Sequence, residues 1–137
     1  TAVEALVAAG DVERAQPVVD RLEEHARAIG VPSAEAAAAR CRALVLAQDG
    51  DLQGARSSVE DALTAHGFAA HAESRGKSLT LVAEHCPFGE AATKYPHVLC
   101  AVDTGMIKGM LHGLYGDTQP IIEQSRPGGG AHCVTRV

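Results

Sequence analysis

Cysteine chemistry dominates the carboxyl-terminal half of this chain. Cys86, Cys100 and Cys133 are three of its four cysteines, with thirteen residues between the first two and thirty-two between the last two. Thiolates are the preferred ligands of zinc and of iron–sulfur clusters, so thiols that a fold can gather make a candidate metal site before any other chemistry. The spacing is loose, since no CxxC pair occurs, and buried structural cysteine is the plain alternative. Pro87 suits the first position of a helix. That sets Cys86 at or just before a helix amino terminus, where backbone N–H groups and the macrodipole favour the thiolate. His97 stands three residues before Cys100, so on a helix the two share a face and could reach one metal; equally, His97 could simply occupy the first turn beside Pro96. Cys41 reads as a helix-core residue, and His25, His66, His71 and His112 are spread over separate elements.

Other chemistry finds little footing. No serine sits in a nucleophile-elbow motif, and neither HExxH nor carboxylates paired at a matched spacing occur. Cys86 is the one nucleophile candidate, but its neighbour His85 points to the opposite face of a strand and is badly placed to take its proton. No enzymatic activity is therefore expected. The run Gly128–Gly130 could cradle a phosphate, yet without a following helix and lysine it lacks the P-loop context and reads as a hairpin turn. Met106 and Met110 read as core filling.

These side chains need elements to carry them. Residues 1–66 read as four helices with clear punctuation. Val3, Leu6 and Val7 face one way before Gly10 ends the first helix; Asp11 caps the second, whose apolar stripe is Val12, Ala15, Val19, Leu22, Ala26 and Ile29. Pro17 falls inside that stripe and leaves the Glu13 carbonyl without its partner, so a bend is expected rather than a break. Gly30, Val31 and Pro32 form the exit. Ser33 then caps a third helix with Ala37, Cys41, Leu44 and Val45 inward, ending at Gly50, and Asp51 caps a fourth with Leu52, Ala55, Val59, Ala62 and Leu63 inward. The segment GDVERA at Gly10–Ala15 recurs as GDLQGA at Gly50–Ala55, a forty-residue period that signals a helical-repeat array.

From Phe68 the period changes to two. Phe68, Ala70 and Ala72 alternate with polar neighbours, Ser74–Lys77 turns, and Leu79, Leu81 and Ala83 alternate again, a hairpin whose second strand delivers Cys86 at its end. Gly89–Lys94 reads as a short helix. A long one from His97 to about Tyr115, opened by Pro96, carries Leu99, Val102, Met106, Met110 and Leu114 on one face. Gly105, Gly109 and Gly113 recur every four residues along it, which costs helix propensity and predicts close approach by another helix, as between two subunits. Strands Thr118–Gln124 and Ala131–Val137 follow. The fold class is thus α+β: a helical-repeat segment over 1–66, then a small antiparallel four-stranded sheet with packed helices over 67–137. Cys86 at a strand end, Cys100 in the first turn of the long helix and Cys133 on a returning strand then meet at one edge of the sheet.

The order Cys86-Pro87-Phe88 after an apolar run, a short helix, Pro96, a cysteine heading a long apolar helix, and a Gly-rich turn before a last cysteine strand resembles the sensor domain of ArsR-like regulators. The nearest members are the iron–sulfur biogenesis repressors of the Suf type. The resemblance covers roughly His66 to Val137. It implies a [4Fe–4S] cluster held at the matching positions Cys86, Cys100 and Cys133, with a variable fourth ligand that is often an acid soon after the first cysteine. Glu90 is the nearest such acid, one residue from the expected place, and His132 and His97 compete with it. Zinc is the alternative metal. Those regulators carry a winged helix-turn-helix ahead of the sensor domain, and none is found in this sequence.

Residues 1–66, with Gly-Asp turns between small-residue helices, resemble the tetratricopeptide-like region of large LuxR-type regulators. Two repeats are fewer than the three usual for an independent solenoid, so these helices must also pack on the second half, a second copy or a partner domain. The two halves resemble unrelated families and meet abruptly at Ala65–Phe68, as the parts of a recombined or engineered fusion do.

Composition narrows the partners. Hydrophobic residues make up 46% of the chain but aromatic ones only 3%, with no Trp, so small side chains fill the core and little surface is left for stacking bases. The net charge of −5 and the lack of a basic stripe likewise disfavour direct nucleic-acid binding. No apolar stretch is long enough to span a membrane. The chain opens at Thr1 rather than a methionine, as a fragment or processed chain does. Four cysteines are too few for a disulfide scaffold, and a cytoplasmic setting with reduced thiols is expected. The sequence therefore reads as a metal- or iron–sulfur-sensing module of a transcription regulator, homo-oligomeric and without its own DNA-binding part. The alternative is a metal-free assembly module whose helical repeats bind a protein partner.

Overall fold

Two Gly-Asp turns organise the first sixty-six residues. The computed structural model describes residues 1–75 and 78–137, and the chain divides into two compact units, Thr1–His66 and Gly67–Val137. The first holds helices α1 (Ala2–Ala8), α2 (Val12–Ile29), α3 (Pro32–Gln48) and α4 (Leu52–Ala65). Gly10 and Gly50 close α1 and α3 at φ +75° and +85°, a left-handed conformation that a side chain would strain. The Asp11 N–H then donates to the Leu6 carbonyl at 2.9 Å and the Asp51 N–H to the Leu46 carbonyl, also at 2.9 Å. Each aspartate also caps the next helix: Asp11 Oδ1 accepts from the Arg14 N–H at 3.3 Å, and Asp51 Oδ1 from the Gly54 N–H at 2.9 Å. The forty-residue repeat is one helix-to-helix turn used twice.

Packing in this unit follows small side chains. Helix α3 lies against α1, α2 and α4, so its buried residues Ala36, Ala38, Cys41, Ala43 and Val45 spread around it rather than forming one stripe. Ala37, expected inward, is exposed. Ala15, Val19 and Ala26 form the buried seam of α2, which runs unbroken through Pro17. Leu22 and Ile29 are 40% and 58% exposed, and Leu52 at the start of α4 is 45% exposed. All three were expected inside. Alanine and valine seams draw helix axes close, and larger side chains at the margins are left outside. Pro32, at the first position of α3 with Val31 as its cap, opens the helix in place of the expected Ser33. Arg42 on α3 ties this helix to α2 by bonds to both Glu23 oxygens at 2.8 and 2.9 Å.

The second unit contains β1 (Ala70–Arg75), β2 (Ser78–Ala83), α5 (Gly89–Lys94), α6 (Pro96–Tyr115), β3 (Ile121–Gln124) and β4 (Cys133–Arg136). Its strands form an antiparallel sheet in the order β1-β2-β4-β3. Of the turn expected at Ser74–Lys77, Ser74 and Arg75 belong to β1, while Gly76 and Lys77 lie outside the described residues. Leu79 and Leu81 of β2 and Thr135 of β4 are buried. Phe68 precedes β1 and meets Phe88 edge-on at 5.9 Å. All four aromatic residues of the chain, Phe68, Phe88, Tyr95 and Tyr115, lie in this unit.

Helix α6 is turned from its expected register. Its buried residues are Asp103, Ile107, Met110 and Leu111, and Val102, expected on the inner face, is 53% exposed. Gly105, Gly109 and Gly113 are exposed too, and a Cβ at Gly105 or Gly109 would meet nothing within 4 Å. Close approach within the chain therefore does not account for these two glycines.

Candidate metal centre

The three cysteines of the second unit are delivered by different elements. Strand β2 ends at Ala83 and α5 begins at Gly89 with Phe88 as its cap. Pro87 is therefore not the first residue of the helix, and Cys86 sits in the preceding turn, its carbonyl accepting from the Gly89 N–H at 3.4 Å. The step from strand to helix needs these extra residues because Phe88 first turns inward to Phe68. Cys100 stands in the second turn of α6, which starts at Pro96, rather than in its first turn. Cys133 opens β4 opposite Ala83. Cys133 and the chain leading to Cys86 thus share one end of the sheet.

The loop between β3 and β4 binds these positions together. The Arg126 N–H donates to Cys133 Sγ at 3.4 Å, and the Arg126 guanidinium donates to the Glu84 carbonyl at 2.6 Å. Ser125 lines one cleft with Cys100, and its side-chain oxygen accepts from the Gly128 N–H at 3.2 Å. The loop therefore donates to the Cys133 sulfur through Arg126 and stands beside Cys100 through Ser125.

Electrostatics link all three thiols. Burial pushes the Cys100 thiol up from its ordinary value, the charges of Asp103 and Cys86 add to that, and the Ser125 hydrogen bond opposes it. Burial likewise raises Cys133 against the Arg126 N–H, with Cys86, Asp103 and Cys100 adding their charges. Cys86 acts on both of these thiols and Cys100 acts on Cys133, so the three lie in one electrostatic neighbourhood. Cys41 is buried in the helical unit.

Asp103 joins them unforeseen. It is 8% exposed, its Oδ1 is buried without a hydrogen-bond partner, and burial pushes its carboxyl up to about 6. The signal was present in the sequence: Leu99, Asp103, Ile107, Met110, Leu111 and Leu114 follow one another at helical spacing, with the acid inside the stripe. Glu90, His97 and His132 are all exposed. His97 and Cys100 line one cleft with Ser125 and Pro127, and Cys86 lines a neighbouring cleft with His85, Arg126 and Pro127.

No protein family, curated protein or solved structure matches this chain. The site is read from its own geometry. Among the described residues, no group of three or more His, Cys, Asp or Glu side chains is gathered so as to hold a metal ion. Tetrahedral zinc with thiolate bonds of about 2.3 Å holds its sulfurs only about 3.8 Å apart. A cluster instead spreads its thiolates over separate irons.

Proposed function

We propose that Gly67–Val137 is an iron–sulfur sensing unit of a transcription regulator whose DNA contact is made by another domain or chain, with Cys86, Cys100 and Cys133 as its ligands. The observation that carries this reading is that one loop meets all three cysteines: the Arg126 N–H donates to Cys133 Sγ, and Cys100 and Cys86 line clefts that share Pro127 of that loop. When bound, a cluster supplies a one-electron couple and sensitivity to oxidants. The chain's own part is to hold the thiolates: the Arg126 amide stabilises charge on the Cys133 sulfur, and the Arg126 guanidinium fixes the loop to the end of β2. Because Cys100 rides on α6 and Cys133 on β4, ligation biases how helix and sheet pack, and a homodimer reads that bias out. No catalytic step is proposed.

Anaerobic purification with an absorption spectrum and iron and sulfide analysis tests this. A brown protein is expected, losing its iron when Cys86, Cys100 or Cys133 is replaced by Ser and keeping it in Cys41→Ser. A colourless, iron-free protein after anaerobic reconstitution would overturn it. That outcome would favour a metal-free assembly module, a reading supported by the exposed Val98 and Val102 on α6 and Tyr95 at its cap.

A further inference from the structure

Sequence position suggests Glu90 as the fourth ligand, but Glu90 is exposed. Three observations favour a different group. Asp103 follows Cys100 by three residues on α6, so the two side chains share a helix face. Asp103 is 92% buried, since 8% of it is exposed, and its Oδ1 has no partner among the described residues. A buried carboxyl oxygen without a partner carries an uncompensated desolvation cost, which a structure retains where something else bonds that oxygen. Finally, the charge of Asp103 adds to the upward push on both the Cys100 and the Cys133 thiols. Resting on the iron–sulfur reading above, we infer that Asp103 is the fourth, oxygen ligand of the centre formed with Cys86, Cys100 and Cys133. Glu90, His97 and His132 are then surface residues.

An oxygen ligand has a physical consequence. A carboxylate is a harder and weaker partner for iron than a thiolate, so one iron of four is held less firmly than the rest. The test is anaerobic reconstitution of the whole chain with ferrous iron and sulfide, comparing wild type, Asp103→Asn, Asp103→Cys and Glu90→Gln. The readouts are iron and sulfide per chain, the electron paramagnetic resonance spectrum and the rate of iron loss to a chelator. Glu90→Gln should match wild type. Asp103→Asn should release one ferrous iron roughly tenfold or more faster and, after one-electron oxidation with ferricyanide, show a three-iron signal, in line with the effect of removing groups that support a metal. Asp103→Cys should slow that release and change the spectrum to that of a four-thiolate cluster. If wild type holds a cluster and neither Asp103 variant differs from it, the ligand assignment fails while the sensing reading stands. A weakened cluster in Glu90→Gln alone would also overturn the assignment. If wild type takes up no iron, the sensing reading itself fails and the ligand goes with it. Should Asp103→Asn not fold, Asp103→Cys decides, because a wild-type spectrum in that variant excludes Asp103 from the iron.

Discussion

A single carboxyl on α6 carries the clearest pH prediction. Burial favours the neutral form of Asp103 and pushes its carboxyl from an ordinary 3.8 up to about 6 in the fold. The native state therefore binds this proton more tightly than the unfolded chain does. The sign follows: Asp103 costs nothing below about pH 4, costs progressively more between about 4 and 6, and costs its full amount above 6. A gap of about two units amounts to about 3 kcal/mol. In the iron-free protein, Asp103→Asn should remove this decline, so that its urea stability at about pH 7.5 exceeds wild type by about 2 to 3 kcal/mol and the two converge near pH 4. Parallel pH profiles for the two proteins would mean that the carboxyl is solvated in the fold.

Burial differences within an element separate side chains of the same chemistry. Leu63 on α4 is 2% exposed and Leu22 on α2 is 40% exposed. Leu63→Ala should cost about 2 to 5 kcal/mol by transfer and cavity formation, and Leu22→Ala less than about 1 kcal/mol, read from denaturation midpoints. Equal losses would place Leu22 in a contact that the chain alone does not make. The same contrast marks what the sequence could tell. Turn chemistry was legible: Gly10, Asp11, Gly50 and Asp51 each require a particular backbone or capping role, and each plays it. The first two strands were legible from alternation, and the last two, expected over Thr118–Gln124 and Ala131–Val137, are shorter, Ile121–Gln124 and Cys133–Arg136. Helix faces were less so, because in an alanine-rich helix several faces are apolar enough to be buried and neighbours decide among them, as at Ala37 and Val102. The cysteines announced themselves by type. Asp103 was legible only as an acid at helical spacing among Leu99, Ile107, Met110 and Leu111, and it took packing to show that this one is enclosed.

Across the whole molecule, the proposed ligands all belong to Gly67–Val137, while Thr1–His66 contains only the buried Cys41. A ligand that binds only the folded form stabilises it by about 2.7 kcal/mol at a hundredfold excess over its dissociation constant. Iron loading should accordingly slow backbone amide exchange in β2, β4 and α6 and leave α1 to α4 unchanged, as mapped by hydrogen-exchange mass spectrometry. Uniform slowing over both units would contradict a site confined to the second. The placement of the aromatic residues has a spectroscopic consequence as well. With no Trp in the chain and both tyrosines at the ends of α6, intrinsic fluorescence is blind to the helical repeats and samples only the cysteine-bearing unit. At about 1.5 Å of rise per residue, Tyr95 lies about 8 Å along the axis from Cys100 and Tyr115 about 22 Å. The two emitters bracket the helix unevenly, so a quencher held at Cys100 would dim the Tyr95 end first.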